Sequence, residues 1–405
     1  MKFDPVLKIA LALTAALPAL LLRLIGVQLA PAPAIAVFGS AVVASAFLLV
    51  WSSEAARRDI SSSLATAILA VIAVLPEYAV DLFFAWSAGH APENAHYAAA
   101  NMTGSNRLLL GLGWPFVVLL FVFGARRRGQ RVTGVVLREA RRLELGFLGA
   151  ASLYSLVVPF TRRIAWYDAV VLLGIFFAYL WRAARGEQEE PRLHGVAKRI
   201  GDLPRRTRRA AVIGLMLGAT AIVLSAAGPF ATALVQGGRQ LGIDEFLLVQ
   251  WLAPVSSESP ELLVAAVLAL RGHQDSALGT LLSAKVNQWT LLVGSLPIAY
   301  AIGGGGAGGI ALDARQTEEF ILTAAQTVLG FAVLADLHLH LWEAIALLAL
   351  FALQFPFPQT QVRIGFAIAY AALALVLLVW RRRELPRIAC YASCSSSAST
   401  GSKLS

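Results

Sequence analysis

The chain has 405 residues, of which 58% are hydrophobic and 14% charged, with a formal net charge of +10. That is too little polar surface to cover a soluble protein of this length. The positive charge would suit a nucleic-acid partner, but it gathers in the connections between apolar blocks, as membrane orientation requires, and no zinc-finger, RRM or helix-turn-helix signature is visible.

Apolar segments of about 20 residues recur along the whole chain, each long enough for a hydrocarbon core of roughly 30 Å. Backbone groups in lipid must be hydrogen-bonded within their own segment, so these blocks are predicted to be helices, and no short alternating strands of a membrane barrel are seen. In chain order about twelve spans are predicted: 6–26, 33–51, 61–88, 94–123, 143–160, 164–183, 209–236, 244–271, 275–302, 318–335, 339–355 and 361–380. The first is long for a signal-peptide core and lacks a small-x-small cleavage site, so it reads as a retained helix. Arg57 and Arg58, the cluster from Arg126 to Arg142, the cluster from Arg185 to Arg209, and Arg381 to Arg383 all fall on one side of a twelve-span layout. That side is then the cytoplasm, with both termini there, and a bacterial-type inner membrane or plasma membrane is expected. Trp51, Trp86, Trp114, Trp166, Trp181, Trp342 and Trp380 lie near span ends, where interfacial anchors sit. Gly111, Gly113 and Gly294 read as sites of close helix packing.

The tail after Arg387 is polar, of low complexity and expected to be disordered. It carries the two cysteines, Cys390 and Cys394, which imply no disulfide framework and only a weak metal signal. Gly303 to Gly309 reads as a flexible connection on the extracytoplasmic side. The histidines and acids at 90–96, 273–275 and 336–343 read as polar connections, with loose spacing for a metal.

Two stretches match one another. Ala73-Val-Leu-Pro-Glu77, then Gly89-His90, then Ala100-Asn-Met-Thr-Gly-Ser-Asn106 parallels Ser257-Glu-Ser-Pro-Glu261, then Gly272-His273, then Gly279-Thr-Leu-Leu-Ser-Ala-Lys285. Each copy covers five spans, an odd number, so the second enters the membrane upside down, as in many secondary transporters. The expected fold is therefore an all-α polytopic membrane protein of two inverted five-helix repeats with broken helices and an extra helix at each end. Its parts are an N-terminal helix in 1–32, the first repeat in 33–183, a basic connection in 184–208, the second repeat in 209–355, a C-terminal helix in 356–387 and the tail in 388–405.

A proline inside a helix removes a backbone donor, and in lipid the freed carbonyls need a partner. A cation is one, and a carboxylate at the next residue adds negative charge at the same depth. A charge at mid-membrane costs at least about 2.5–3.5 kcal/mol on insertion scales, so Glu77 and Glu261 are functional candidates. Asp81, four residues after Glu77 on the same helix face, either lines the pathway or is a helix-end residue near the interface.

Leu75-Pro-Glu77 and Ser259-Pro-Glu261, each followed by an Asn-x-x-Gly-Ser-Asn-like element, resemble the two α-repeats of the Ca²⁺:cation antiporter superfamily, which includes the sodium/calcium exchangers. The resemblance covers roughly 33–355. It implies that Glu77 and Glu261 are the central cation ligands, with Asn101, Thr103 and Ser105 matching the first repeat's element. The chain departs from the family pattern at Ala73-Val74, where two hydroxyls are lost, and at Ser257-Glu258, where a hydroxyl has become a carboxylate. Leu109 and Gln288 stand where exchangers often place Asp or Asn. Lys285 is the most informative departure. It takes the place of a monovalent cation or couples the cycle to protons, or it forms a fixed ion pair with Glu258 or Glu261. The expected metal site is thus Glu77, Glu261, Glu258, Asn101, Ser105 and Ser257, with Lys285 and Asp81 as coupling or pairing residues.

No Walker motif is present, so an ion gradient must drive transport. The expected function is exchange of Ca²⁺ for Na⁺ or H⁺ by alternating access. A cation/proton antiporter that does not use Ca²⁺ is the alternative, and an intramembrane enzyme a remote one, since such enzymes hold paired acids near the surface. Partners are the bilayer and inorganic cations, with no cofactor and no nucleic acid.

Overall fold

The computed structural model describes residues 4–56, 58–59, 75–185, 193, 195–242, 244–354, 357 and 359–393. The beginning of the predicted span 61–88, including Ala73 and Val74, and Cys394 in the tail lie outside the described residues.

The elements follow in chain order. They are α1 (Pro5–Ile25), α2 (Pro31–Ala56), α3 (Leu75–His90), α4 (Ala95–Leu108), α5 (Trp114–Arg127), β1 (Gly134–Val136), α6 (Arg142–Ser155), α7 (Val157–Thr161), β2 (Arg163–Ile164) and α8 (Trp166–Ala184). The basic connection contains α9 (Gly195–Gly201) and leads into α10 (Arg205–Leu241), followed by α11 (Glu245–Leu270), α12 (Gln274–Asn287), α13 (Val293–Ile302), β3 (Ile310–Ala311), α14 (Ala314–Leu334), β4 (His338–His340), α15 (Leu341–Leu353), α16 (Thr360–Trp380) and α17 (Leu385–Ser393). A π-turn, Leu109–Gly113, joins α4 to α5, and a second, Gln288–Leu292, joins α12 to α13. Among the described residues eight helical stretches are long and apolar enough to cross a membrane, and α11 makes a ninth. That helix bends by 56° between Glu245–Ser259 and Glu261–Leu270, at the position of Pro260. The missing proline N–H accounts for such a bend.

The chain forms two compact units, and each takes sequence from both predicted repeats. The first contains residues 1–101, 187–261 and 299–305. Its centre is the contact of α2 with α10. Small residues allow the approach: a Cβ on Gly39 would lie 2.9 Å from the Phe230 ring, and one on Gly237 would lie 2.9 Å from Ile35. At one end of these helices Arg208 grips Asp59 with two hydrogen bonds of 2.6 and 2.8 Å, and Arg58 reaches Asp202 at 2.6 Å. The opposite side of the unit holds a backbone-on-backbone contact. Gly89, at the end of α3, meets the Tyr300 carbonyl and Gly303, and His90 Nδ1 lies 3.2 Å from the Gly303 carbonyl.

The second unit contains residues 102–186, 262–298 and 306–405. Here α14 packs along α16, and two short antiparallel ribbons tie distant segments together. β1 pairs with β4, placing Val135 opposite Leu339, and β2 pairs with β3. Trp114 and Trp289 are among the largest fully buried side chains. Trp114, expected as an interfacial anchor, is therefore a core residue. It follows the π-turn and packs where Gly330 leaves room. Trp86, Trp166, Trp181, Trp342 and Trp380 are exposed, as interfacial anchors are. Gly111 and Gly294 do permit close approach, to Phe351 and Leu173. Arg381, expected in a solvated basic run, is buried; it donates to Glu343 at 2.7 Å, to the Ala332 carbonyl at 3.0 Å and to the Val333 carbonyl, and it pairs with Asp336 at 3.0 Å. Part of the tail expected to be disordered is helical: α17 runs to Ser393 and packs on α6, with Ala392 over Gly146.

Candidate functional site

The first unit gathers six of the expected site residues, Glu77, Asp81, Asn101, Ser257, Glu258 and Glu261. The described part of α3 starts at Leu75-Pro76-Glu77, and Glu77 is buried. One turn on, Asp81 is fully buried in the body of α3. It stands inside the helix rather than at its end. Asn101 on α4 is likewise fully buried, four residues after the buried Tyr97 on the same face.

These carboxylates lie in one unit with the buried Tyr78 beside Glu77. Asn101 is the amide closest to bonding Asp81. Even so, neither oxygen of Asp81 nor either amide atom of Asn101 reaches a partner at full hydrogen-bond geometry among the described residues. A buried polar atom left in this state is costly. A cluster of carboxylate and amide oxygens short of donors is the chemistry that suits a hard cation. On α11 the buried Ser257 and Glu258 precede the half-buried Glu261. The Ser257 hydroxyl donates back to the Ala253 and Pro254 carbonyls at 3.2 and 3.3 Å, so its oxygen lone pairs stay available.

The second unit holds Ser105 and Lys285, the other two expected site residues. Lys285 is fully buried, and its Nζ donates to the Asn106 carbonyl at 2.5 Å and to Asn106 Oδ1 at 2.9 Å. Sequence reasoning left Lys285 between a stand-in for a monovalent cation, a proton-coupling group and a fixed pair with Glu258 or Glu261; the structure adds Asn106, the last residue of the Asn-x-x-Gly-Ser-Asn element, as a partner. Gln288 Nε2 donates to Ser105 Oγ at 3.4 Å, and the Trp289 ring lies 5.9 Å from Lys285 Nζ. The N-terminal end of α12 is pinned by arginines. Asp275 accepts from the Arg138 backbone and Nε, both at 2.8 Å, and pairs with Arg141 at 3.2 Å. Burial pulls the Asp275 carboxyl upward, but the hydrogen bonds and charges of Arg138 and Arg141 outweigh it and hold the group below its usual value. Among the described residues no cluster of three or more His, Cys, Asp or Glu has the arrangement of a metal centre. The histidines at 338 and 340 stand side by side on β4 as an aromatic pair.

Sequence reasoning did not find Tyr78 or Asn106 as site neighbours. Tyr78 follows the Pro-Glu pair directly, and Asn106 closes the recognised element, so both were within reach of a helical-face argument.

Comparison with known proteins identifies the setting of these residues. The sodium/calcium exchanger protein family matches residues 32–184 and 211–357. The chain belongs to this family. It is a membrane transporter, not an enzyme. Among solved structures, the H⁺/Ca²⁺ exchanger CAX is 38% identical, with a TM-score of 0.90 over 96% of this chain and 98% of that one. Native YfkE is 17% identical with a TM-score of 0.60, over 89% of this chain and 99% of its own. The sodium-calcium exchanger NCX_Mj, soaked with Na⁺ and Sr²⁺, is 17% identical with a TM-score of 0.51, over 85% of this chain and 98% of its own. The last two share the fold. No curated protein sequence matches the chain.

Proposed function

We propose that this transporter is a secondary active antiporter that moves Ca²⁺ in exchange for H⁺ or Na⁺, by alternating access of two inverted repeats. The observation that carries the reading is that one unit holds the buried Glu77, Asp81, Asn101 and Glu258 together with the half-buried Glu261. Like charges held close in a low-dielectric interior repel strongly. A divalent cation relieves that repulsion, and so do protons. Both compete for the same oxygens, which is the competition that exchange requires. Glu77 and Glu261 are the central ligands in this reading. Glu258, Asn101 and Ser257 complete the oxygen set of this unit, and Asp81 joins them as a further carboxylate. H⁺ is favoured over Na⁺ as the coupling ion, because the 38%-identical relative is an H⁺/Ca²⁺ exchanger. The basic connections place both termini on the cytoplasmic side of a bacterial inner membrane or plasma membrane.

A second reading, a cation/proton antiporter that does not use Ca²⁺, is supported by the hydroxyls lost at Ala73-Val74 and by Lys285. Flux in proteoliposomes, with Ca²⁺, Na⁺ and pH varied separately, tests both. A pH gradient is expected to drive Ca²⁺ movement, and Glu77→Gln or Glu261→Gln to lower it by about tenfold or more. Full activity in both variants would defeat the site assignment. Proton flux coupled to another cation, with none to Ca²⁺, selects the second reading.

A further inference from the structure

The second unit holds a polar cluster that the cation chemistry above does not use. Arg107 on α4, Glu318 and Glu319 on α14, and Arg363 on α16 are four formal charges, all buried. Glu319 accepts from both arginines. Arg107 Nη2 also donates to Gln354 Oε1 at 2.5 Å, and Gln354 Nε2 reaches the Tyr370 hydroxyl at 3.4 Å. Glu318 stands 3.7 Å from Arg363. Ionised groups at membrane depth are expensive and persist only when paired, so this cluster has a task that apolar packing would not perform.

Its place on α4 indicates the task. Arg107 follows Asn106, the residue that holds Lys285, and precedes the π-turn at Leu109–Gly113 by two positions. In a π-turn each N–H reaches back five residues instead of four. The carbonyls of Asn106 and Arg107, on the turn of α4 that leads into it, both accept from side chains: Asn106 from Lys285 Nζ, and Arg107 from Gln326 Nε2 at 3.4 Å. α12 has its own π-turn, which begins three residues after Lys285. Rotation of the Asn106 turn about the helix axis would withdraw the Asn106 oxygens from Lys285.

We infer that Arg107 is a positioning residue, whose guanidinium, forked between Glu319 and Gln354, fixes the π-broken turn of α4 so that Asn106 holds the Lys285 amino group. The forked geometry matters. A lysine at 107 has a single ammonium on a flexible stem and cannot reproduce the planar two-way grip. The inference rests on the proposed antiport only where it concerns flux; the hold on Lys285 is a property of the fold.

The direct test is acylation of the purified full-length protein with a small uncharged anhydride, followed by mass spectrometry of each lysine, with the exposed Lys198 as internal reference. Arg107→Lys is expected to raise the rate at Lys285 relative to Lys198 by about fivefold or more, because local opening of the turn exposes the amine. Asn106→Ala is expected to do the same. The charge-balanced pair Arg107→Gln with Glu319→Gln avoids a stranded charge and keeps the test open if the single variant folds poorly. An unchanged Lys285 rate in Arg107→Lys and in the balanced pair overturns the inference. In proteoliposomes, Arg107→Lys is expected to shift the half-saturating Ca²⁺ concentration when Lys285 is present and to leave it unshifted in a Lys285→Ala background. An equal shift in both backgrounds assigns Arg107 a general structural role and likewise overturns the inference. Because acylation needs no transport, absence of Ca²⁺ flux in the unaltered protein would count against the proposed function alone.

Discussion

Gly89→Ala probes the packing that holds the carboxylate-bearing α3. A Cβ at this position would lie 2.4 Å from the Tyr300 carbonyl oxygen, 2.6 Å from the Gly303 carbonyl carbon and 2.8 Å from the Gly303 Cα. All three are backbone atoms, so no side chain can swing away. From the other side, a Cβ on Gly303 would lie 2.0 Å from the Trp86 carbonyl oxygen. Overpacking costs about 1–3 kcal/mol where neighbours can adjust. With backbone on both faces the upper end applies, about 3 kcal/mol, or roughly a hundredfold in the folding equilibrium. A fall in melting temperature of about 3–4 °C follows for a chain of this length. The matched control is Gly218→Ala in α10, where the added Cβ meets nothing within 4 Å. There the gain in helix propensity is about 0.5–1 kcal/mol, and the melting temperature should rise slightly. Thermal unfolding of the detergent-purified variants, followed by tryptophan fluorescence, measures both. If Gly89→Ala melts with the unaltered protein, the end of α3 is not in backbone contact with the turn at Gly303, and the reasoning fails.

Two further outcomes concern charges outside the candidate site. Arg381→Leu leaves Glu343 buried without its main partner and strips donors from the end of α14; stranding one member of a buried pair costs about 3–5 kcal/mol, and a melting curve that matches the unaltered protein would show the network to be dispensable. The hydrogen bond from Arg208, against the opposing pull of burial and helped by nearby arginine charge, holds the Asp59 carboxyl below its usual value. A depressed carboxylate contributes stability above its unfolded value of about 3.9, and that contribution fades as pH falls through the folded value. The stability gap between the unaltered protein and Asp59→Asn is therefore expected to be constant near neutrality and to close in acid; a gap that widens as pH falls would reverse the sign.

How much of this was visible in the sequence depends on whether the feature is local. The membrane class and the break at Pro260 are local patterns of composition and spacing, and they were legible. The bend in α11 sits where Pro260 stands. Asp81 was ambiguous because burial of a carboxylate depends on what packs against its helix. Trp114 looked like an interfacial anchor because it opens an apolar block; its burial depends on Gly330, more than two hundred residues away. The π-turns have no recognised sequence signature, since Leu109–Gly113 and Gln288–Leu292 share almost no residue type. Arg107 reads as an intruder in an apolar element until Glu319, Arg363 and Gln354 are brought beside it. Lys285 invited a carboxylate partner by charge alone, and only the fold showed that the oxygens of Asn106 were aimed at it.

The composition of the two compact units has a consequence for how the polypeptide can be made. α2 comes from the first half of the chain and α10 from the second, and they meet in one core; β1 and β4 divide the same way in the other. A nascent chain released after the basic connection at 184–208 would hold parts of both units and the whole of neither. Two separately translated halves would each be an unfinished fragment, and each would find its missing packing surfaces only on the other.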